Sequence, residues 1–148
     1  MKFFAQAFLI AAFLFLGSCR TAGVVLQETP LNISETRVAV VTVTGQPRQV
    51  SENGREIFSK YYDKKNNNLE KDKMDMARER YYTHVVILGD RRPYDIQVEV
   101  LIEARTPEGG WELVNHDDGR AGAIAEKIKN ALAQSRDKRN VIDDFRSF

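Results

Sequence analysis

The sequence predicts an α+β fold: an antiparallel β-sheet of about four to six strands, with a C-terminal helix packed on one face. Three observations carry this. In "YDIQVEVLIEAR", Tyr94, Ile96, Val98, Val100, Ile102 and Ala104 alternate with Asp95, Gln97, Glu99, Glu103 and Arg105. That period of two is the pattern of a strand with one side covered and one side wet. The links "GDRRP" and "TPEGG" to its neighbours "YYTHVVILG" and "WELVNH" are too short for a crossover helix, so the three strands form a meander. Downstream, Ala121, Ile124, Ala125, Ile128 and Leu132 recur at helical spacing.

The elements follow in chain order. Met1-Lys2 carries one positive charge, and residues 3–16 are apolar except for Gln6. That run falls short of the ~20 apolar residues a membrane-spanning helix needs. Charged start, apolar stretch and the small residues Gly17 and Ser18 have the layout of an export signal, residues 1–18. Gly23 and Pro30 interrupt regular structure, so residues 19–36 read as a tether in which Val24-Val25-Leu26 can pair or pack. Residues 37–148 then form a single domain. "RVAVVTVTG" is rich in β-branched residues and apolar on both faces, which predicts a central strand over 37–45.

Asn53-Gly54 is a hairpin signal, because such turn residues tolerate positive φ. Residues 48–52 and 55–62 are its two arms. The rival is a helix capped at Ser51 with Ile57, Phe58, Tyr61 and Tyr62 on one stripe; Gly54 inside it disfavours that reading. Asn66-Asn67-Asn68 is a loop, and Leu69, Met76 and Ala77 allow a short exposed helix. Asp117, Asp118 and Gly119 supply helix-start chemistry for the C-terminal helix. Val141, Ile142, Phe145 and Phe148 form a stripe that extends that helix or turns back over the sheet.

Leu16-Gly17-Ser18-Cys19 resembles the lipobox of bacterial lipoproteins: an aliphatic residue, two small residues, then Cys. The resemblance covers residues 1–19 and leaves the rest of the chain without a recognised family. It implies that Cys19, the single cysteine of the chain, receives diacylglycerol and palmitate-type acyl chains and becomes the first mature residue. Each buried CH₂ contributes about 0.8 kcal/mol, so two or three acyl chains anchor durably where one does not. Arg20 is not an inner-membrane retention signal in the enteric scheme. The expected location is therefore the cell envelope, at the outer membrane facing the periplasm.

Without residues 1–18, which hold Lys2 and no carboxylate, 21 basic side chains face 21 acidic ones. Zero net charge argues against general nucleic-acid binding, which uses a basic face. No catalytic motif, nucleotide loop or spare cysteine is present, so the chain reads as a non-enzyme without a cofactor. His84 is out of phase with Val85 and Ile87 and reads as a partly buried strand residue. His116-Asp117-Asp118 lacks a second His at workable spacing unless His84 comes close, so no metal site is assigned.

Two candidate binding features remain. Arg91 and Arg92 on the tight turn, beside Tyr94, offer bidentate donors to a phosphate or carboxylate. The C-terminal stripe, with Phe145 and Phe148, either docks on its own core or enters a groove of another envelope protein. The function expected is an accessory or binding lipoprotein, with an envelope protein or glycolipid as partner. The alternative is a binder of a small ligand or an anionic envelope polymer, lipopolysaccharide or peptidoglycan.

Overall fold

The computed structural model describes residues 22–145, with side chains through Asp137. Cys19 and Phe148 lie outside the described residues, as does the side chain of Phe145. The elements are β1 (Val24–Thr29), α1 (Ile33–Thr44), β2 (Pro47–Val50), β3 (Glu56–Ser59), α2 (Lys71–Met76), β4 (Glu79–Leu88), β5 (Tyr94–Arg105), β6 (Trp111–His116) and α3 (Asp118–Phe145). The fold is α+β, as its sequence pattern predicts. One antiparallel sheet of six strands runs in the order β1-β5-β4-β3-β2, and β6 also pairs with β5. β1 takes the first half of one edge of β5, from Tyr94 to Val98, and β6 takes the second, from Leu101 to Arg105.

The long β4–β5 ladder is in register from Glu79 opposite Ala104 to Leu88 opposite Asp95. Period two then sends Tyr81, Thr83, Val85, Ile87, Tyr94, Ile96, Val98 and Val100 to one buried face. α3 lays Ala121, Ala125, Ile128 and Leu132 on that face, with small alanines allowing close approach in its first turns. Ile128 joins Leu31, Val40, Val85, Ile96 and Val98 in the main core cluster. Of the two courses open to the tail, the helix continues to Phe145. The hairpin at Asn53-Gly54 forms as expected, with Gly54 at φ 69° and its N–H donated to the Ser51 carbonyl at 2.8 Å.

Two expectations fail. The predicted strand over 37–45 is part of helix α1. Its start is fixed by a capping box: Asn32 Oδ1 accepts the Glu35 N–H at 2.9 Å, and the Glu35 carboxylate accepts the Asn32 N–H at 3.2 Å. Thr36, Ala39 and Val40 are buried, with Val43 partly buried a turn later, which is a helical stripe. Val38 lies off the stripe and is 64% exposed, where a central strand would bury it. Thr42 and Thr44 hydroxyls donate back to the carbonyls of Val38 and Val40, at 2.8 and 3.0 Å, so their polar atoms are satisfied inside the helix. Substituting Val38→Glu should therefore change unfolding free energy by less than about 0.5 kcal/mol in a urea titration, as at an ordinary surface site. A loss of several kcal/mol would return the segment to the sheet.

The second is the extent of the tether: Val24-Val25-Leu26 pair, as the sequence allows, but as part of the sheet itself. Strand β1 begins at Val24, pairs with β5, and leads to Leu31, which is 2% exposed. The folded domain thus starts well before residue 37. Gly23 immediately precedes β1 at φ 90°, and a Cβ there would stand 2.5 Å from the Val98 carbonyl oxygen. Only glycine admits that approach of backbone to backbone.

Candidate functional site

Helices α1 and α3 contact each other and share one side of the sheet. Among the described residues no long helix lies on the opposite face. Only the short α2 reaches its margin: Met74 Sδ accepts from Arg80 Nη1, and the Asp75 carbonyl accepts from Arg105 Nη1.

The strand alternation that buries Tyr81, Thr83 and Val85 turns Arg80, Tyr82 and His84 onto this open face. Register brings their neighbours: Phe58 from β3 opposite His84, and Glu99, Leu101 and Glu103 from β5 opposite His84, Tyr82 and Arg80. The result is a ladder of rings and guanidinium groups. Arg48 stands over Tyr61, Tyr82 and Phe58, with its central carbon 4.4, 5.0 and 5.4 Å from the ring centroids. Arg80 lies between Tyr61 at 3.8 Å and Trp111 at 4.2 Å, and Arg105 reaches Trp111 at 5.9 Å. Arg80 Nε also donates to Glu103 at 2.6 Å, with both side chains largely shielded from solvent. A cation over an aromatic face gains about 0.5–2 kcal/mol, more as water is excluded. The Tyr82 phenol pKa is raised above its ordinary value, first by burial and then by the Glu103 carboxylate, so it stays a neutral donor.

His84 stacks on Phe58 with centroids 4.4 Å apart and planes at 6°. Its Nε2 is 3.4 Å from Glu56 and its Nδ1 3.5 Å from Glu99. Nε2 is shielded and makes no hydrogen bond. Apolar side chains rim the same face: Val25, Leu88 and Leu113, paired in register with Gln97, Asp95 and Glu103, are 42%, 39% and 47% exposed.

Of the sequence-selected residues, Arg91 and Arg92 are exposed on the β4–β5 turn and make no ion pair among the described residues. Tyr94 does not join them. It points to the buried side, is 9% exposed, and lies under Arg55 at 5.7 Å from the ring centroid. Its place in the Tyr94–Ile96–Val98 alternation is the reason, since that phase faces the core. Asp95, which the turn also presents, accepts the Glu28 N–H at 3.0 Å and fastens β1. His116 pairs with Leu101 and His84 with Glu99, on opposite edges of β5. Among the described residues no group of three or more His, Cys, Asp or Glu is disposed to hold a metal ion.

The aromatic–arginine ladder escapes sequence reading, because its members come from five separate segments. Its one local signal is the density of Tyr, Phe and Arg on the non-core phase of "REIFSKYY" and "RERYYTH". No protein-family model matches the chain, and no curated protein matches it by sequence.

Proposed function

We propose that this chain is a lipid-anchored protein of the bacterial cell envelope, held at the outer membrane on its periplasmic side by acyl chains on Cys19. In this reading it is an accessory binding domain with no catalytic role, and its partner is another envelope protein. The observation that supports binding is the open sheet face. A wet sheet face is ordinarily polar, yet this one carries partly exposed Phe58, Tyr61, Tyr82 and Trp111 beside exposed Val25, Leu88 and Leu113. Partly exposed aromatic rings beside arginine anchors are the composition of protein–protein hot spots. The arginines favour a partner that presents carboxylates beside apolar side chains. Among the described residues no helix is long and apolar enough to cross a membrane.

The test is site-specific photo-crosslinking in cells with the natively processed protein. A crosslinker at Leu113 should capture one defined envelope protein, and a crosslinker at Lys129 on exposed α3 should not. Leu88→Asp, across the face, should abolish that capture without unfolding the domain. Equal capture from both positions, or capture that survives the substitution, would remove the face as the binding surface. An unmodified Cys19 in the mass spectrum of the N-terminal peptide would remove the anchor.

A second reading rests on the unpaired Arg91 and Arg92, which suit the phosphates of lipopolysaccharide or the carboxylates of peptidoglycan. Replacing both with Gln should weaken envelope integrity; wild-type resistance to detergents would discard it.

A further inference from the structure

On the helical side of the sheet, away from the ladder, a cleft of about 290 Å³ opens between the end of α1, the 62–68 loop and the first turns of α3. Tyr62, Asn66, Asn68, Arg120, Ile124 and Lys127 line it. The loop side is held in shape. Asp63 Oδ1 accepts the N–H groups of Lys65 at 2.8 Å and Asn67 at 2.9 Å, and its Oδ2 accepts from Asn67 Nδ2 at 2.9 Å. The Asn67 hydrogen bonds hold the Asp63 carboxyl below the usual carboxylate range, so the clasp is closed at neutral pH. Asn66 takes φ 65°, a left-handed conformation that asparagine accepts, and Asn68 bridges to Tyr62.

The helix side supplies charge. Arg120 and Lys127 are seven residues apart, two turns along one face of α3. The Arg120 guanidinium is fixed on three sides: Nε is 3.2 Å from Asp117, Nη2 donates to the Lys64 carbonyl at 2.5 Å, and the Tyr81 ring lies 4.7 Å away. Its Nη1 is shut from solvent without a partner, a situation that costs on the order of 1–3 kcal/mol. Lys127 makes no ion pair among the described residues. Asp117 offsets Arg120, so the cleft keeps one net positive charge, that of Lys127. Beside it stand two primary amides, the Tyr62 hydroxyl 3.1 Å from the Thr83 hydroxyl, and an apolar wall at Ile124. Burial pushes the Tyr62 phenol up, so it remains an O–H donor.

The geometry points to a binding site for a monosaccharide-sized ligand with several hydroxyls and one anionic group. Amides and hydroxyls match a polyol, Ile124 matches the apolar face of a sugar ring, and Lys127 takes the anion, while Arg120, held by Asp117 and the Lys64 carbonyl, shapes the wall beside it. The size agrees, since a cleft of this volume stands at the lower end of the range for small-molecule sites. The rim is already ordered, which lowers the entropic cost of binding. This site is separate from the open sheet face and does not depend on it.

The test is an NMR titration of the full acylated chain in detergent micelles with glucuronate, glucose 1-phosphate and glucose. Saturable shifts of the Asn66, Asn68 and Lys127 amides are expected with one or both anionic sugars, and the tighter one identifies carboxylate or phosphate as the group. Glucose should bind at least about tenfold more weakly, the equivalent of one charge-assisted contact. Lys127→Gln, on the helix surface, should weaken the anionic sugar about tenfold with the rest of the spectrum unchanged. Tyr62→Phe should weaken it less. Absence of saturable shifts with all three sugars would overturn the proposal. So would glucose binding as tightly as the anions, or unaltered affinity in Lys127→Gln.

Discussion

Substituting Ile128→Ala is expected to cost about 3 kcal/mol of stability and to lower the melting temperature by about 10 °C. Ile128 is fully buried where α3 crosses the sheet, and the five residues Leu31, Val40, Val85, Ile96 and Val98 of its cluster come from four other elements or connections. Removing three carbons leaves a cavity whose walls belong to both helices and three strands or links, so no one neighbour can move in alone. A small domain has about 5–15 kcal/mol in total, which makes this loss a large share. Thermal unfolding of the full chain followed by circular dichroism would measure it. A shift under about 3 °C would mean that α3 does not carry the core contact described.

Arg80→Ala is expected to cost about 2–3 kcal/mol, which is more than a surface ion pair is worth. The Arg80 side chain is 12% exposed, its guanidinium lies between the Tyr61 and Trp111 rings, and it bonds a Glu103 whose side chain is 16% exposed. Deleting it removes two stacking contacts and strands a shielded carboxylate. Arg80→Lys should recover only part of the loss, because an ammonium cannot present a plane to two rings and a fork to a carboxylate. A double-mutant cycle with Glu103→Gln in urea would give the coupling. Additive single effects would show that the pair is solvated and that the ladder is ornamental to stability.

The meander and its helix were legible because each satisfies one period over many residues. The run 94–105 keeps strict alternation, and 121–132 keeps a helical stripe. Helix α1 was obscured by its composition. Val38, Val40, Val41, Thr42, Val43 and Thr44 all favour strands by local preference, and tertiary packing of Thr36, Ala39, Val40 and Val43 overrides it. The legible clue was Asn32 with Glu35 three residues on, a capping pair that precedes the apolar run. β1 was obscured because a short strand between Gly23 and Pro30 carries little pattern of its own and owes its place to β5. The candidate site divides similarly. Exposure of Arg91 and Arg92 follows from a tight turn, whereas the seating of Arg48 and Arg80 among rings depends on cross-strand register that no local window contains.

The early start of β1 has a geometric consequence for the proposed anchor. Cys19 and Val24 are five Cα steps apart, and a fully extended chain of that length reaches at most about 18 Å. An acylated Cys19 would therefore hold the domain on a short leash, against the bilayer rather than out in the aqueous space. Its partners would be those that share its membrane plane, met by lateral diffusion in two dimensions.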